Sequence, residues 1–253
     1  MRTDFTKIAV GLRSDTVHSG TLDAAINLSN VFDCTLHLIC FDDNCNVYEE
    51  LVAEKSNAAQ VKFEMVRRSN ESIKEIVKAT NELEADLLII PADKKSQSIV
   101  NILEIPVLTV KDEFEPHPVK HIVMPMHDKA ETRQKVPVAT EIAKHFGATI
   151  DIILVSGKNG DEQKRLKSYA SQAMEYISKA GVDCSYHFHE GGKVDEVTIN
   201  YAQEKNADML IIMNDRDAGF FSMSYSEKII RNSGIPVMVV EPRDLHKAGA
   251  SGY

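Results

Sequence analysis

The chain predicts two α/β domains in tandem, each built on a parallel sheet, and three observations carry that prediction. Short apolar runs alternate with stretches of helical periodicity, the pattern of strands joined by helical crossovers. The pattern occurs twice: Ala85-Asp86-Leu87-Leu88-Ile89-Ile90 returns as Ala207-Asp208-Met209-Leu210-Ile211-Ile212, and Ile105-Pro106-Val107 returns as Ile235-Pro236-Val237. Between the copies stands Glu113-Phe114-Glu115-Pro116-His117-Pro118, a polar, proline-bearing linker.

Each half reads as five strands separated by four helices. Lys7–Leu12 is the first strand and its counterpart is His121–Met126. The second strands lie in "VFDCTLHLICF" at 31–41 and "HFGATIDIILV" at 145–155, at the same offset. That offset of 114 residues grows to 122 at the Ala-Asp strands and to 130 at the Ile-Pro-Val strands. The halves therefore differ by eight residues twice, once before the fourth strand and once in the loop after it. A period this long signals duplicated domains rather than a solenoid. The fourth strands are continuous apolar runs, as strands covered on both faces should be. In the second half Leu166, Ala170, Ala173 and Ile177 recur at helical spacing, with Gly181 at the expected C-cap. Lys144, His145 and Gly147 close the preceding helix in the same way, and Pro137 within it predicts a late start or a kink. The domain limits are set at 1–115 and 118–242, with 243–253 as a flexible tail.

Composition excludes several classes of function. The 253 residues are 43% hydrophobic and 26% charged, the balance of a globular protein. No apolar run approaches the ~18 residues that suggest a membrane span, and the first residues lack a signal-peptide core, so a cytoplasmic location is expected. A net charge of −9 argues against nucleic acid as a partner. Cys34, Cys40, Cys45 and Cys184 form no CxxC pair, and reduced thiols are expected.

The strand "KIAVGL", the strand "ADMLII" and the closing "SYSEKIIRNSGIPVMVV" together resemble the universal stress protein family in its tandem form, over residues 5–242. The resemblance implies doubly wound five-stranded parallel sheets of strand order 3-2-1-4-5, paired through their fifth strands. It also implies an intramolecular pseudo-dimer, with a homodimer of the chain as a further option. Many family members bind ATP and many do not. The binders carry G-x-x-G, nine residues, then G-[ST] after strand four, with an Asp after strand one, around the crevice where the strand order reverses.

Against that pattern this sequence is altered. Asn214 stands at the first glycine, Asp217 at the second, Met223 at the third, and Ser224 alone keeps its identity. The loop is also short for the family spacing. Asp215 and Asp217 place carboxylates beside the expected phosphates, partly offset by Arg216. Ser224-Tyr225-Ser226-Glu227 has the form of a capping box, and a capping role for Ser224 is expected over a phosphate role. In the first half Pro91–Ser98 replaces the whole glycine loop, with Lys94 and Lys95 read as a solvated pair. The strand-one Asp is replaced by Arg13 and His127, with Asp15 and Asp128 nearby but out of register.

The degenerate crevice is thus assigned to Asn214, Asp217, Ser224 and His127, with no catalytic residue, no metal ligand and no cofactor; ATP is possible there but not expected. His187 and His189 share one face of an expected edge strand, without an assignable third ligand, and Gly191-Gly192-Lys193 is read as a turn, not a P-loop. The expectation is a non-catalytic stress-response or regulatory protein with an unknown protein or small-molecule partner. An adenine-nucleotide or other small-ligand binder using the second-half crevice is the first alternative. A slow hydrolase, which would need His127, Asp128 and Asp217 to converge, is the second.

Overall fold

The computed structural model describes residues 5–12, 18–41, 45–115, 117–157, 159–215 and 223–243. The first half contains β1 (Lys7–Gly11), α1 (Ser19–Val31), β2 (Thr35–Phe41), α2 (Cys45–Ala59), β3 (Phe63–Arg68), α3 (Ile73–Glu82), β4 (Leu87–Pro91), α4 (Ser96–Val100) and β5 (Val107–Val110). The second contains β6 (His121–Met126), α5 (Val136–Phe146), β7 (Thr149–Ser156), α6 (Gly160–Lys179), β8 (Cys184–Glu190), α7 (Val194–Glu204), β9 (Met209–Met213), α8 (Tyr225–Asn232) and β10 (Val237–Val240).

All ten strands form one sheet of order β3-β2-β1-β4-β5-β10-β9-β6-β7-β8. Each half has the order 3-2-1-4-5, with parallel neighbours throughout. The halves join where β5 and β10 pair antiparallel, Val107 opposite Val239 and Thr109 opposite Val237. Each fifth strand is fully buried, so the pairing covers two Val-rich edges that would otherwise template aggregation.

Side-chain alternation on these strands builds two cores. Ile8, Val10, Leu87 and Ile89 face one layer, together with residues of α1, α2, α5 and α6. Ala9, Leu88, Ile90, Leu210 and Ile212 face the other, with α3, α4, α7 and α8. Strands between two apolar layers must be apolar at every position, which explains the uninterrupted runs in β4 and β9. The outermost strand β8 is half-buried to exposed throughout.

The repeated Ala-Asp pair has a structural cause. The Asp86 carboxylate accepts from the backbone N–H of Thr6 and Lys7 at 3.0 and 3.1 Å, pinning β4 to the start of β1. Asp208 does the same for Lys120 and His121 at 2.7 and 2.8 Å. Duplication therefore preserved a register lock in both halves.

Pro137 delays its helix as expected. A 3-10 turn runs from Ala130 to Lys135, and α5 begins beside the proline, which lacks the N–H that a first turn leaves unbonded anyway. Gly147 ends α5 at φ 65°. Gly191 and Gly192 form the turn into α7, at φ 80° and 84°.

The thiol expectation is corrected. Cys40, at the end of β2, is bridged to Cys45, the first residue of α2, with Cα atoms 5.3 Å apart. The end of β2 and the start of α2 lie close enough for the bridge, a geometry that residue spacing alone does not reveal. Cys34 and Cys184 are free thiols.

Candidate functional site

The crevice of a doubly wound sheet opens at the carboxyl ends of strands one and four of each half. The first-half counterparts of the residues after β6, Arg13 and Asp15, lie outside the described residues, so only part of the first crevice is described. Its β4–α4 side holds a gap of about 10 Å³ among Gly11, Ser72, Pro91 and Ser96. Its loop closes on itself: Asp93 Oδ1 accepts from the N–H groups of Lys95 and Ser96 at 2.6 and 3.1 Å, and Ser96 Oγ donates to the Pro91 carbonyl at 2.8 Å. Lys95 is not simply solvated but pairs with Glu71 at 3.3 Å. On the flank, the linker after β5 lies against the start of α1. A Cβ at Gly20 would stand 2.8 Å from the Phe114 carbonyl oxygen and 3.0 Å from those of Lys111 and Asp112. His18 holds the same segment through Asp112 at 2.7 Å.

The second crevice is open. A cavity of about 690 Å³ lies between the ends of β6 and β9, the 3-10 turn, α5 and α6. Its rim is Pro242-Arg243, the strap that leaves β10. The Gln134 side chain holds that strap, accepting from the Arg243 N–H at 2.7 Å and donating to its carbonyl at 3.0 Å. Arg243, the first residue assigned to the tail, is therefore anchored; residues 244–253 lie outside the described residues.

His127 lines this cavity. Its Nδ1 accepts from the Lys129 N–H at 3.4 Å, so the neutral ring carries its proton on Nε2. Burial pulls its pKa down to about 4, the positive charges of Lys135 and Lys129 add to that, and Asp215 opposes it. Lys135 is completely buried beneath the 3-10 turn, its Nζ donating to Thr132 O and Oγ1 at 2.7 and 2.9 Å. Burial drops its pKa to about 7.

Asn214 reaches the cavity wall but is only 4% exposed. Its Oδ1 accepts from Gln97 Nε2 at 3.0 Å and from Ser226 Oγ at 3.1 Å. Its Nδ2 donates to Asn101 Oδ1 at 3.0 Å and to Glu241 Oε2 at 2.7 Å. Gln97 and Asn101 lie in or just after α4 of the first half, so this side chain bolts the two halves together. An amide with both lone-pair directions and both N–H groups engaged has nothing left for a ligand.

Ser224 caps α8. Its Oγ accepts from the Glu227 N–H at 3.1 Å and contacts Ser226 Oγ at 2.9 Å. The Glu227 carboxylate runs down the helix to Arg231 at 2.8 Å, so its described partner is not at the cap. Ser224 does not line the cavity. Asp217, like Arg13, Asp15 and Arg216, lies outside the described residues. Asp128 points to Arg165 at 3.9 Å rather than pairing with His127. Of the four crevice residues, then, His127 faces the open space, Asn214 reaches it fully bonded, and Ser224 stands behind the helix end. His187 lies 3.5 Å from Ser185 Oγ and packs against Tyr201, and no cluster of three or more metal-ligating side chains occurs among the described residues.

Of the other cavity-lining groups the sequence placed Asp215 at the crevice, but it gave no sign of Arg133, Gln172 or Tyr176. Arg133 donates to Gln172 Oε1 at 2.6 Å and lies 4.5 Å over the Tyr169 ring. Tyr176, half exposed on α6, closes the far side. The helical spacing that marked Ala173 as core carries no sign that its neighbours at 172 and 176 wall a cavity.

Fold and crevice define a class: tandem doubly wound α/β domains with a ligand crevice at the strand-order reversal. Residues 118–241 match the model of the Universal stress protein family, and over these residues the chain belongs to that family. The first half repeats the same five-stranded order, giving the tandem form. A universal stress protein from Archaeoglobus fulgidus DSM 4304 is 18% identical, with a TM-score of 0.71 over 93% of this chain and 98% of that one. A functionally unknown protein from Pseudomonas aeruginosa PAO1 is 17% identical, with a TM-score of 0.72 over 95% and 94%. The cytoplasmic domain of a prokaryotic cation chloride cotransporter shares the fold at 8% identity, with a TM-score of 0.64 over 93% and 95%. No curated relative matches the chain in sequence. No helix among the described residues is long and apolar enough to cross a membrane.

Proposed function

We propose that this chain is a non-catalytic universal stress protein of the cytoplasm that acts in stress response or regulation by holding one small molecule in its second-half crevice. The observation that carries the reading is the open space of about 690 Å³ in that crevice, walled by His127, Arg133, Met213 and Tyr176. A volume of this size is that of small-molecule sites in general. The ligand is not a nucleotide held in the manner of the family's ATP-binding members. Asn214 is engaged across the domain interface and Ser224 caps a helix. Asp215 on the cavity wall sets a carboxylate where phosphate would come. An unpaired like charge at about 5 Å costs about 3 kcal/mol at an effective dielectric near 20, and Lys129, 3.6 Å from Asp215, offsets much of that here.

The described residues do not favour hydrolysis. His127 uses Nδ1 as an acceptor from backbone, and Asp128 turns towards Arg165. Among the described residues no carboxylate bonds to the imidazole to orient it as a general base, and Asp217 lies outside them.

Calorimetry of the full chain with ATP, ADP and AMP tests the reading. The expected dissociation constants are in the high micromolar range or weaker. A low-micromolar constant for ATP, or a nucleotide carried through purification, would refute it.

A further inference from the structure

We propose that the second-half cavity is built for a small organic monoanion with an apolar body, a carboxylate rather than a phosphate ester. This rests on the reading that the crevice is the ligand site, and it names the ligand's chemistry. Three features of the wall converge on it.

The first is the charge balance. Among the described residues the cavity is lined by Lys129, Arg133 and Arg243 against Glu131 and Asp215. Lys129 and Asp215 stand 3.6 Å apart and largely cancel. His127 is the neutral tautomer, because its Nδ1 accepts from backbone. One positive charge remains, enough for one carboxylate and too little for a di- or triphosphate.

The second is the placement of Arg133. One of its terminal nitrogens is fixed by Gln172 and its Cζ lies 4.5 Å from the centre of the Tyr169 ring. Two of its five N–H groups have described partners, on Gln172 and on the Ala130 carbonyl at 3.4 Å. A guanidinium anchored in this way loses little further freedom when its remaining N–H groups meet the two oxygens of a carboxylate. Phosphate esters in this fold are held instead by glycine backbone at a helix N-terminus, and this chain has Asn214 and Met223 at glycine positions of that motif.

The third is the apolar wall. Val136, Pro137, Ala173, Met213 and Pro242 line the cavity beside Arg133, and Tyr176 adds a ring to the wall. A fully hydrophilic acid would leave these surfaces wet. An aromatic or short aliphatic tail covers them at about 25 cal/mol per Å² removed from water. The Nε2–H of His127 adds one neutral donor, suited to a second oxygen of the ligand.

The test uses the full-length protein and three probe sets: monocarboxylates of rising apolar size (acetate, benzoate, phenylacetate, indole-3-acetate), their neutral amides, and ATP with AMP. Melting temperature and calorimetry are read at about 1 mM probe. The expected result is a shift that grows with the apolar size of the acid and vanishes for the amides. Arg133→Gln should weaken binding of the best acid at least tenfold, measured against that variant's own unliganded melting curve. Arg133→Lys should recover only part of the loss, because the fork and not the charge alone is used. Amides that bind as well as acids, or an Arg133→Gln variant of unchanged affinity, would overturn the monoanion proposal and leave the ligand-crevice reading standing. Binding by none of the acids would also overturn it. ATP or AMP binding at low micromolar would overturn both.

Discussion

Asn214→Ala should be among the most damaging single changes in this chain, although the residue sits where the family places a phosphate-binding glycine. The change removes four side-chain hydrogen bonds, to Gln97, Asn101, Ser226 and Glu241. Three are between neutral groups, worth about 1 kcal/mol each, and the one to the Glu241 carboxylate is worth about 1.5–3 kcal/mol. Water entering the space recovers part of that sum, so the expected loss is about 3–5 kcal/mol. Urea denaturation of the full chain, followed by circular dichroism, measures it. A double-mutant cycle with Gln97→Ala should return a coupling of about 1 kcal/mol, because the pair spans the two halves. Asn214→Asp adds a sign test. It keeps the acceptor for Gln97 and Ser226 but sets a carboxyl against the Glu241 carboxylate and the Asn101 carbonyl oxygen. Two carboxyls in one site raise a folded-state pKa, so the deficit should be small near pH 4 and grow as pH rises above it. An Asn214→Ala loss below about 1 kcal/mol would refute the interface role, as would an Asn214→Asp deficit that does not change with pH.

Three further outcomes are expected. Ser224→Ala should lower stability by about 1 kcal/mol and Ser224→Asp should be tolerated, with ligand binding unchanged in both; a ligand-induced melting shift lost only in Ser224→Asp would contradict the capping role. Reduction of the Cys40–Cys45 bridge, or a Cys40→Ala/Cys45→Ala double variant, should cost about 2 kcal/mol, the chain-entropy value for so short a loop, checked by urea titration with and without reductant. Lys135, with a folded pKa depressed to about 7, binds fewer protons folded than unfolded between pH 7 and its ordinary pKa near 10.5. Stability should therefore rise with pH across that window, by up to about 1.4 kcal/mol per pH unit, and Lys135→Met should flatten the rise in parallel denaturation curves.

Much of the fold was legible because its signals are local or repeated. The apolar runs of β4 and β9 mark strands covered on both faces, the Ala-Asp pair recurs where a register lock recurs, and Pro137 announces a delayed helix. The cap at Ser224 was equally local. The site was legible only in its negative part, the missing glycines. What replaced them was not. The partners of Asn214 lie more than a hundred residues away in α4, and no spacing rule links Gln97 to 214. No motif or periodicity singles out Lys135, yet it is fully buried against Thr132. The two bridged cysteines lack a CxxC spacing and meet only because the end of β2 and the start of α2 lie close together. Arg133, Gln172 and Tyr176 come together only once α5 and α6 are packed.

The linker's seat on Gly20 reaches beyond packing. A homodimer of single domains owns two identical crevices, and an occupant of one can help or hinder an occupant of the other. In this chain the segment that joins the halves is seated on the start of α1, its Lys111, Asp112 and Phe114 carbonyls 2.8–3.0 Å from where a Cβ on Gly20 would stand. Joining the halves end to end also lets the two sites diverge, since each carries its own residues after strand four: Ala92 and Asp93 in one, Asn214 and Asp215 in the other. For the single ligand site proposed in the second half, the saturation curve of one molecule is a simple hyperbola, and any sigmoid response must come from contacts between separate molecules.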